Sequence, residues 1–312
     1  MRRFPFFAAV VLLTVAAAAA GCGRANEVAL SSAARIGDYD GDGKADLVVY
    51  RPPETKWYIL LSGENFQNGT PTLLGAGGDV PVAGEYDGDG KNDLAVYRAV
   101  SSTWFVMQSS TGKVVSYHIG DRTDIPVPAD YDGDKKTDIA VYRSSDGVWS
   151  VLESTKNYAS PVTFTLGVGS DIPVPGDYDG DGKADFAVFR LPLAIWHIVG
   201  SRPGSTPFAP QWGLAGDIPV PGDYDGDGQT DVAVYRPTVS RWYIRKPSFD
   251  LQFGLGGDIP VPADFDGDGK TDVAVFRPAT GTWYVLRSST GFKESTHVQW
   301  GLYGDIPILR RP

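Results

Sequence analysis

Six segments of the sequence carry carboxylates at a spacing that suits a bound cation. Each follows, with small departures, the nine-residue pattern Asp-x-Asp-x-Asp-Gly-x-x-Asp. The segments begin at Asp38, Glu85, Asp130, Asp177, Asp223 and Asp264. This spacing turns every second side chain inward around one point, and Gly at position 6 permits a sharp turn. A single match could be an ordinary polar turn, but six in register indicate six metal sites.

Calcium suits these loops better than magnesium. Calcium accepts about six to eight oxygens in flexible geometry, whereas magnesium prefers a tight octahedral shell and retains water. The loops are similar to the first nine positions of an EF-hand loop, but position 12 carries no Glu and no helical pattern flanks them. We therefore expect strand–loop–strand sites holding up to six Ca²⁺ ions, with position 7 contributing only its backbone carbonyl. The predicted ligands at positions 1, 3, 5, 7 and 9 are Asp38, Asp40, Asp42, Lys44 and Asp46; Glu85, Asp87, Asp89, Lys91 and Asp93; Asp130, Asp132, Asp134, Lys136 and Asp138; Asp177, Asp179, Asp181, Lys183 and Asp185; Asp223, Asp225, Asp227, Gln229 and Asp231; and Asp264, Asp266, Asp268, Lys270 and Asp272.

Three loops depart from the pattern. The second begins with Glu85, which is one methylene longer than Asp and can still reach an ion. The third has Lys135 where the others have Gly, which places a β-carbon in the turn and a cation beside the ion. We therefore expect the third loop to bind metal most weakly. Gln229 in the fifth loop is harmless if only its carbonyl oxygen is used.

The acidic residues are concentrated in these loops. Of 38 acidic residues, 24 occupy loop positions 1, 3, 5 and 9, and the whole chain carries a formal charge of -10. Four carboxylates in one short loop repel each other in the absence of a cation. A surface of this kind also repels nucleic acid, because the sequence offers no basic stripe to offset it.

A fixed frame of residues surrounds each loop. A Trp follows every loop start by 19 residues, an Arg follows the last loop Asp by five, and an Asp precedes the loop start by six in all copies but the first. We call this last residue the lead-in Asp. We interpret the Trp as core packing between repeats rather than as a sugar-stacking platform, and the Arg as a charge partner of the lead-in Asp or the loop carboxylates. Trp212 and Trp300 lie outside this set, and we expect them to be more exposed.

The repeat predicts an all-β, six-bladed propeller of four-stranded antiparallel blades. The loops recur every 41 to 47 residues, and each unit contains four short β-type segments separated by turn signals. Segments such as Val-Pro-Gly-Asp-Tyr predict the first strand of each unit. The first unit lacks this lead-in and residues 304–308 supply one, so we expect the chain termini to close the ring beside residues 36–40. An antiparallel solenoid is the alternative, and seven blades would require a missing unit.

The units resemble the FG-GAP/VCBS-type repeats that form the propeller of integrin α subunits and occur in many bacterial surface proteins. The resemblance rests on the six acidic loops and on runs such as Asp-Leu-Ala-Val-Tyr-Arg at 93–98, and it covers residues 36–308. The literal Phe-Gly dipeptide occurs only at Phe253-Gly254. The resemblance implies one calcium ion in each of the loops that begin at Asp38, Asp130, Asp177, Asp223 and Asp264, and also in the loop at Glu85.

The N-terminal residues have the features of an export signal. Arg2 and Arg3 precede an apolar run from Phe4 to Ala20, and small residues lead to Cys22, the only cysteine. The segment resembles a bacterial lipoprotein signal in which this Cys is lipidated, although ordinary cleavage nearby is the alternative. We predict a signal at 1–22, a tether at 23–35 and the propeller at 36–312. The protein would then lie in the bacterial cell envelope or at its surface, in contact with the membrane only through its lipid, or would be secreted.

No known catalytic motif is present in the sequence. The three His residues occupy unrelated contexts, and there is no Gly-x-Ser-x-Gly, His-Glu-x-x-His or phosphate-binding Gly loop. The repeats differ in length only after each Trp, where partner specificity would lie. We therefore expect a binding or adhesion module for an extracellular glycan or protein. A polysaccharide-acting enzyme or a structural protein of the envelope is the alternative.

Overall fold

The computed structural model describes residues 37–67, 69, 71–82 and 84–309. Within these residues the chain is all-β, with 23 strands and single 3₁₀ turns at Ala99–Ser101, Ser154–Lys156 and Ser288–Thr290.

The strands form six sheets, here called blades 1 to 6. From the innermost strand outwards, blade 1 contains β23 (Ile306–Pro307), β1 (Leu47–Arg51), β2 (Lys56–Leu60) and β3 (Pro71–Leu73); blade 2, β4 (Val80–Pro81), β5 (Leu94–Arg98), β6 (Thr103–Met107) and β7 (Val114–His118); blade 3, β8 (Ile125–Pro126), β9 (Ile139–Arg143), β10 (Val148–Leu152) and β11 (Pro161–Thr165); blade 4, β12 (Ile172–Pro173), β13 (Phe186–Arg190) and β14 (Ile195–Val199); blade 5, β15 (Ile218–Pro219), β16 (Ala233–Arg236), β17 (Arg241–Ile244) and β18 (Phe249–Gln252); and blade 6, β19 (Ile259–Pro260), β20 (Val273–Arg277), β21 (Thr282–Leu286) and β22 (Ser295–Gln299).

The blades are antiparallel meanders arranged in a ring, as the repeat predicted. The ring closes through the end of the chain, as expected, but the strand partner differs: β23 pairs with β1, where Ile306 lies opposite Tyr50, whereas residues 36–40 were the expected partner. The fourth strand of blade 4 is reduced to two isolated bridges, which join Ile195 to Gln211 and Ile198 to Phe208. Pro210 lies between these bridges and has no N–H to donate, so a regular ladder cannot form there.

The innermost strand of each blade is shorter than the sequence predicted. Only the Ile-Pro or Val-Pro pair is strand, whereas the Gly-Asp part of the predicted segment forms single bridges such as Gly176 to Asp185. The predicted strand Val-Pro-Gly-Asp-Tyr was therefore wrong in position as well as in extent, because in blade 4 this segment begins at Val174, directly after β12 ends at Pro173. A second proline follows two residues after the first in blades 3 to 6, and the loss of alternate N–H donors limits the ladder.

Apolar cores lie between neighbouring blades, and the repeated Trp residues fill them. The six Trp side chains are at most 1% exposed, which confirms the packing interpretation. One of six buried clusters joins blades 6 and 1 through Leu47, Val49, Val261, Phe276 and Trp283. The ring closure is therefore held by apolar packing as well as by strand pairing. The six Trp are Trp57, Trp104, Trp149, Trp196, Trp242 and Trp283.

Trp212 and Trp300 are less exposed than the sequence suggested. Both are half-buried, and each indole N–H donates to a backbone carbonyl of the next blade. Trp212 donates to Tyr243 at 3.1 Å, and Trp300 donates to Tyr58 at 3.1 Å across the ring closure. The expectation of exposure was wrong because these outer residues pack against the neighbouring blade.

The repeated Arg residues pair with the lead-in Asp in every blade. In blade 4, Arg190 Nε and Nη2 donate to the two carboxylate oxygens of Asp171 at 3.0 and 2.8 Å. The Asp side chain is 1% exposed. Because β13 runs from the acidic loop to this Arg, the pair lies at the opposite end of the blade from the loop. We call this side of the disc the Arg face and the other side the acidic face. The six pairs are Arg51–Asp305, Arg98–Asp79, Arg143–Asp124, Arg190–Asp171, Arg236–Asp217 and Arg277–Asp258.

The predicted signal and the tether, including Cys22, lie outside the described residues. Among the residues that are described, no helix is both long and apolar enough to span a bilayer.

Candidate metal centres

The first carboxylate of each loop is held by the backbone of its own loop. In the first loop, Asp38 Oδ1 accepts the N–H of Gly41 at 2.6 Å and Oδ2 accepts that of Gly43 at 2.9 Å. Gly43 has a φ of +88°, in the left-handed region that favours glycine. The same pair of bonds recurs in the loops that begin at Asp130, Asp177, Asp223 and Asp264. The loop is therefore shaped by its own hydrogen bonds.

The last carboxylate of each loop is buried, and in five blades it joins the start of its loop to the segment after the second loop-flanking strand. Asp46 is fully buried, and its Oδ2 accepts the N–H of Tyr39 at 2.6 Å while Oδ1 accepts that of Ser62 at 2.7 Å. Burial raises the pKa of this carboxyl to about 7, although both hydrogen bonds oppose the shift. Burial likewise raises the pKa to about 7 for Asp138, Asp231 and Asp272. A bound metal ion would hold these carboxylates ionised.

The loop carboxylates converge as their spacing predicted. In each of several loops, three side chains bring one ligand oxygen apiece to within 4.8 Å of one another. Five of these groups are Asp38, Asp40 and Asp42; Glu85, Asp87 and Asp93; Asp130, Asp132 and Asp138; Asp177, Asp179 and Asp185; and Asp223, Asp225 and Asp231. Three carboxylates this close form a donor set of hard oxygens, which suits a hard divalent cation.

The position-7 residues donate their backbone N–H groups to the carboxylate at position 5. The N–H of Lys44 donates to Asp42 Oδ1 at 2.9 Å, and the equivalent N–H does the same in the other loops, including that of Gln229. Within the described residues, the carbonyl oxygen of Lys44 accepts no hydrogen bond. That oxygen is therefore available as the ligand that the pattern predicted.

Among the residues that the structure describes, two buried carboxylate oxygens have no hydrogen-bond partner. They are Oδ1 of Asp132 and Oδ1 of Asp179, both at position 3 of their loops. In each case Oδ2 is engaged; for Asp132 it accepts the N–H and the hydroxyl of Thr155. A buried acceptor without a partner is costly, and a bound cation would satisfy it. The residues present therefore fit a metal ion.

A serine contacts each loop in five of the six blades, and the sequence analysis did not identify it. It follows the last loop Asp by 16 residues, and its N–H donates to that Asp. In blade 1 the Ser62 hydroxyl also donates to Asp42 at 3.0 Å. The fixed spacing of Ser62, Ser109, Ser154, Ser201 and Ser288 was the available signal. These contacts place the segments of variable length that follow the Trp residues on the acidic face.

In blade 5 a proline stands in place of this serine. This residue, Pro247, has no N–H to donate to Asp231. Lys246 contributes instead, because its ammonium group contacts Asp227 Oδ2 at 2.5 Å. The fifth loop therefore already has a cation on one of its predicted ligands, a departure that the sequence analysis did not weigh.

The two substituted loops keep the turn. Lys135 adopts a φ of +72°, and its N–H still donates to Asp130 Oδ2 at 2.8 Å. Glu85 accepts the N–H of Gly88 at 2.5 Å but receives no bond from Gly90, because its longer side chain displaces the carboxylate. Whether the third loop binds most weakly stays a prediction.

Neighbouring loops are linked to each other around the ring. The N–H at position 8 donates to the carbonyl oxygen of position 1 in the preceding loop; for example, Asn92 donates to Asp38 at 2.6 Å. Ala45 closes the circle by donating to Asp264 at 2.7 Å. The stem of each position-7 side chain also lies over the Gly at position 4 of the preceding loop, as Lys91 lies over Gly41. The six loops thus form one continuous belt.

The blade topology and the acidic belt define a six-bladed β-propeller with an Asp-rich loop in every blade. The family model of the FG-GAP-like repeat matches residues 38–96 and 130–188, and the chain therefore carries FG-GAP-like repeats. No curated protein matches the sequence.

Solved structures resemble this propeller in fold. Virginiamycin B lyase from Staphylococcus aureus, in selenomethionine-substituted form, has a TM-score of 0.51 at 9% identity, over 84% of this chain and 82% of that one. A catalytically inactive variant of virginiamycin B lyase from the same organism, with quinupristin, has a TM-score of 0.51 at 8% identity, over 89% and 94%. At these identities the likeness concerns the fold alone.

Proposed function

We propose that the protein is a calcium-stabilised, extracytoplasmic binding module that recognises a glycan or a protein partner. The observation that carries this proposal is the acidic face, where converging carboxylates and the chain segments of variable length lie together. Metal binding would order the belt, and the variable segments beside it would provide specificity.

Calcium is the proposed ion because the loops offer many hard oxygens in an adaptable turn. In the first loop Asp38, Asp40, Asp42 and Asp46 would hold it, together with the carbonyl of Lys44. When bound, the ion supplies positive charge that neutralises the loop. Asp38 already orients its carboxylate through the N–H groups of Gly41 and Gly43.

The variable segments supply the part of the surface that differs between blades. In blade 3 Thr155 contacts the loop through Asp132, whereas in blade 4 Arg202 and Ser205 contact it through Asp179. The invariant frame builds the scaffold six times, so a recognition site must come from residues that differ. These differences support a binding role located on the acidic face.

We further propose that the protein is exported and lipidated at Cys22. The support is the N-terminal sequence, with its basic start, its apolar run and the single Cys after small residues. Incorporation of labelled palmitate that is abolished by Cys22→Ser would support this assignment. Equal labelling of both forms would contradict it.

A binding screen tests the function. The protein without its first 22 residues is presented to a glycan array and to a panel of extracellular proteins, with calcium and then with a chelator. The proposal predicts a ligand whose binding is lost in the chelator and is restored by calcium. Turnover of a polysaccharide, or binding that ignores calcium, would contradict it.

A further inference from the structure

A central channel runs between the innermost strands of all six blades. Its volume is about 500 Å³, within the range of small-molecule sites. Of the described residues that line it, all but Asp79 and Asp124 are Val, Ile, Leu or Pro. Those two carboxylates are engaged by Arg98 and Arg143. The channel wall is therefore almost entirely apolar.

The backbone that faces this channel can accept hydrogen bonds but hardly donate them. In blade 4 the N–H of Val174 donates outwards to Ala187 of β13 at 2.8 Å. Alternate residues of a strand direct their backbone groups to opposite sides, so Pro173 and Pro175 face the channel. Proline has a carbonyl oxygen but no N–H. These positions therefore expose carbonyl oxygens and ring methylenes.

The same arrangement recurs around the ring. In all six blades, the N–H of the residue that follows the proline of the innermost strand donates a hydrogen bond to a backbone carbonyl of the second strand, at 2.8 to 3.0 Å. The prolines that line the channel are Pro81, Pro126, Pro128, Pro173, Pro175, Pro221, Pro262 and Pro307. Among the described residues, the wall thus combines apolar surface with many carbonyl acceptors and few N–H donors.

We propose that this channel binds a small molecule with a compact aliphatic body and a cationic, hydrogen-bond-donating head such as a primary ammonium. The body removes apolar wall from water, which is favourable in proportion to the area buried. The ammonium group donates charge-assisted hydrogen bonds to the carbonyl oxygens of the prolines that face the channel. An anionic head finds few donors among the described wall residues and meets the carbonyl oxygens instead, so it binds more weakly.

Matched probes test the chemistry. Calcium-saturated protein is titrated by calorimetry with adamantylamine, with adamantanecarboxylate and with methylamine. The first has both body and cationic head, the second has the same body with an anionic head, and the third has the head alone. We expect adamantylamine to bind at least about tenfold more tightly than either of the others. Methylamine binding as tight as that of adamantylamine would reveal ammonium binding at the acidic loops and would overturn the proposal, as would equal binding of the two adamantane probes.

A variant locates the site. Val80 lines the channel and is 41% exposed, so Val80→Lys places a cation there without opening the core. Val100→Lys is the control, because Val100 is 83% exposed in a turn after β5 and does not line the channel. We expect Val80→Lys to weaken adamantylamine at least about tenfold. The control variant Val100→Lys should change the dissociation constant of adamantylamine by less than about twofold. Equal effects of the two variants, at unchanged melting temperature, would overturn the proposal.

Discussion

At the scale of single residues, Lys135 adopts the left-handed backbone conformation at a turn position where the other five loops have glycine. A non-glycine residue in this conformation costs roughly 1 kcal/mol. Lys135→Gly should therefore raise the free energy of unfolding by about 1 kcal/mol, measured by urea denaturation in calcium. It should also tighten calcium binding by the third loop, because it removes a cation.

Loop 4 provides the matched control for this substitution. Gly182 occupies the equivalent position with a φ of +87°. Gly182→Lys should lower the free energy of unfolding by about the amount by which Lys135→Gly raises it, roughly 1 kcal/mol. If Lys135→Gly lowered the stability, the turn would not be the source of strain.

Lys246 is the second residue whose role can be isolated. Its ammonium group contacts Asp227, and its side chain is 57% exposed, so the pair contributes at most about 1 kcal/mol. A calcium ion must compete with this ammonium group for Asp227. Lys246→Met should therefore tighten one calcium site about fivefold in a calorimetric titration, the equivalent of about 1 kcal/mol.

Arg245→Met controls for the loss of a positive charge. Arg245 is the exposed neighbour of Lys246, and its backbone N–H donates to Val232. Equal gains in calcium affinity for the two variants would show a general charge effect and not a local contact.

At the scale of structural elements, the Arg–Asp pairs hold the innermost strand of each blade to its neighbour. In blade 4, Asp171 is buried, and its Oδ2 also accepts the N–H of Val168, which fixes the turn before β12. Arg190→Met would leave this carboxylate without its charged partner. The stability should fall by about 2 kcal/mol, measured by urea denaturation.

A double variant separates the lost pair from other effects. Asp171→Asn combined with Arg190→Met leaves no buried charge unpaired, so its cost should be smaller than the sum of the two single costs. Strict additivity would mean that the two side chains do not interact.

The same elements indicate what the sequence could predict. The acidic loops, the buried Trp and the Arg–Asp pairs were predictable because each lies in a stretch of fixed length. The contact of Ser62 with Asp42 was missed although the serine recurs at a fixed spacing, because spacing alone does not show where β2 ends relative to the loop. Trp300 was misjudged because its partner, Tyr58, lies 242 residues away across the ring closure. Sequence spacing describes one repeat well, but it does not reveal how neighbouring repeats meet.

At the scale of the whole molecule, the ring and the acidic belt depend on each other. The belt passes through every blade and closes between Ala45 and Asp264, on the acidic face of the closure that β23 and β1 form. Electrostatic repulsion within the loops therefore acts on every blade interface at once. Since 24 of the 38 acidic residues lie in this belt, cations bound there should stabilise the fold as a whole.

Removal of calcium should lower the melting temperature substantially. An ion that binds only the native state at about 100 times its dissociation constant adds about 2.7 kcal/mol of stability per site. Calorimetric melting of the protein without its first 22 residues, in calcium and in a chelator, measures this difference. Because the loops are hydrogen-bonded in a circle, we expect one cooperative transition in both conditions rather than separate melting of individual blades. Magnesium in place of calcium should restore less of the loss, since it retains its water and prefers a tighter shell. An unchanged melting temperature in the chelator would mean that the belt holds its carboxylates together without an ion.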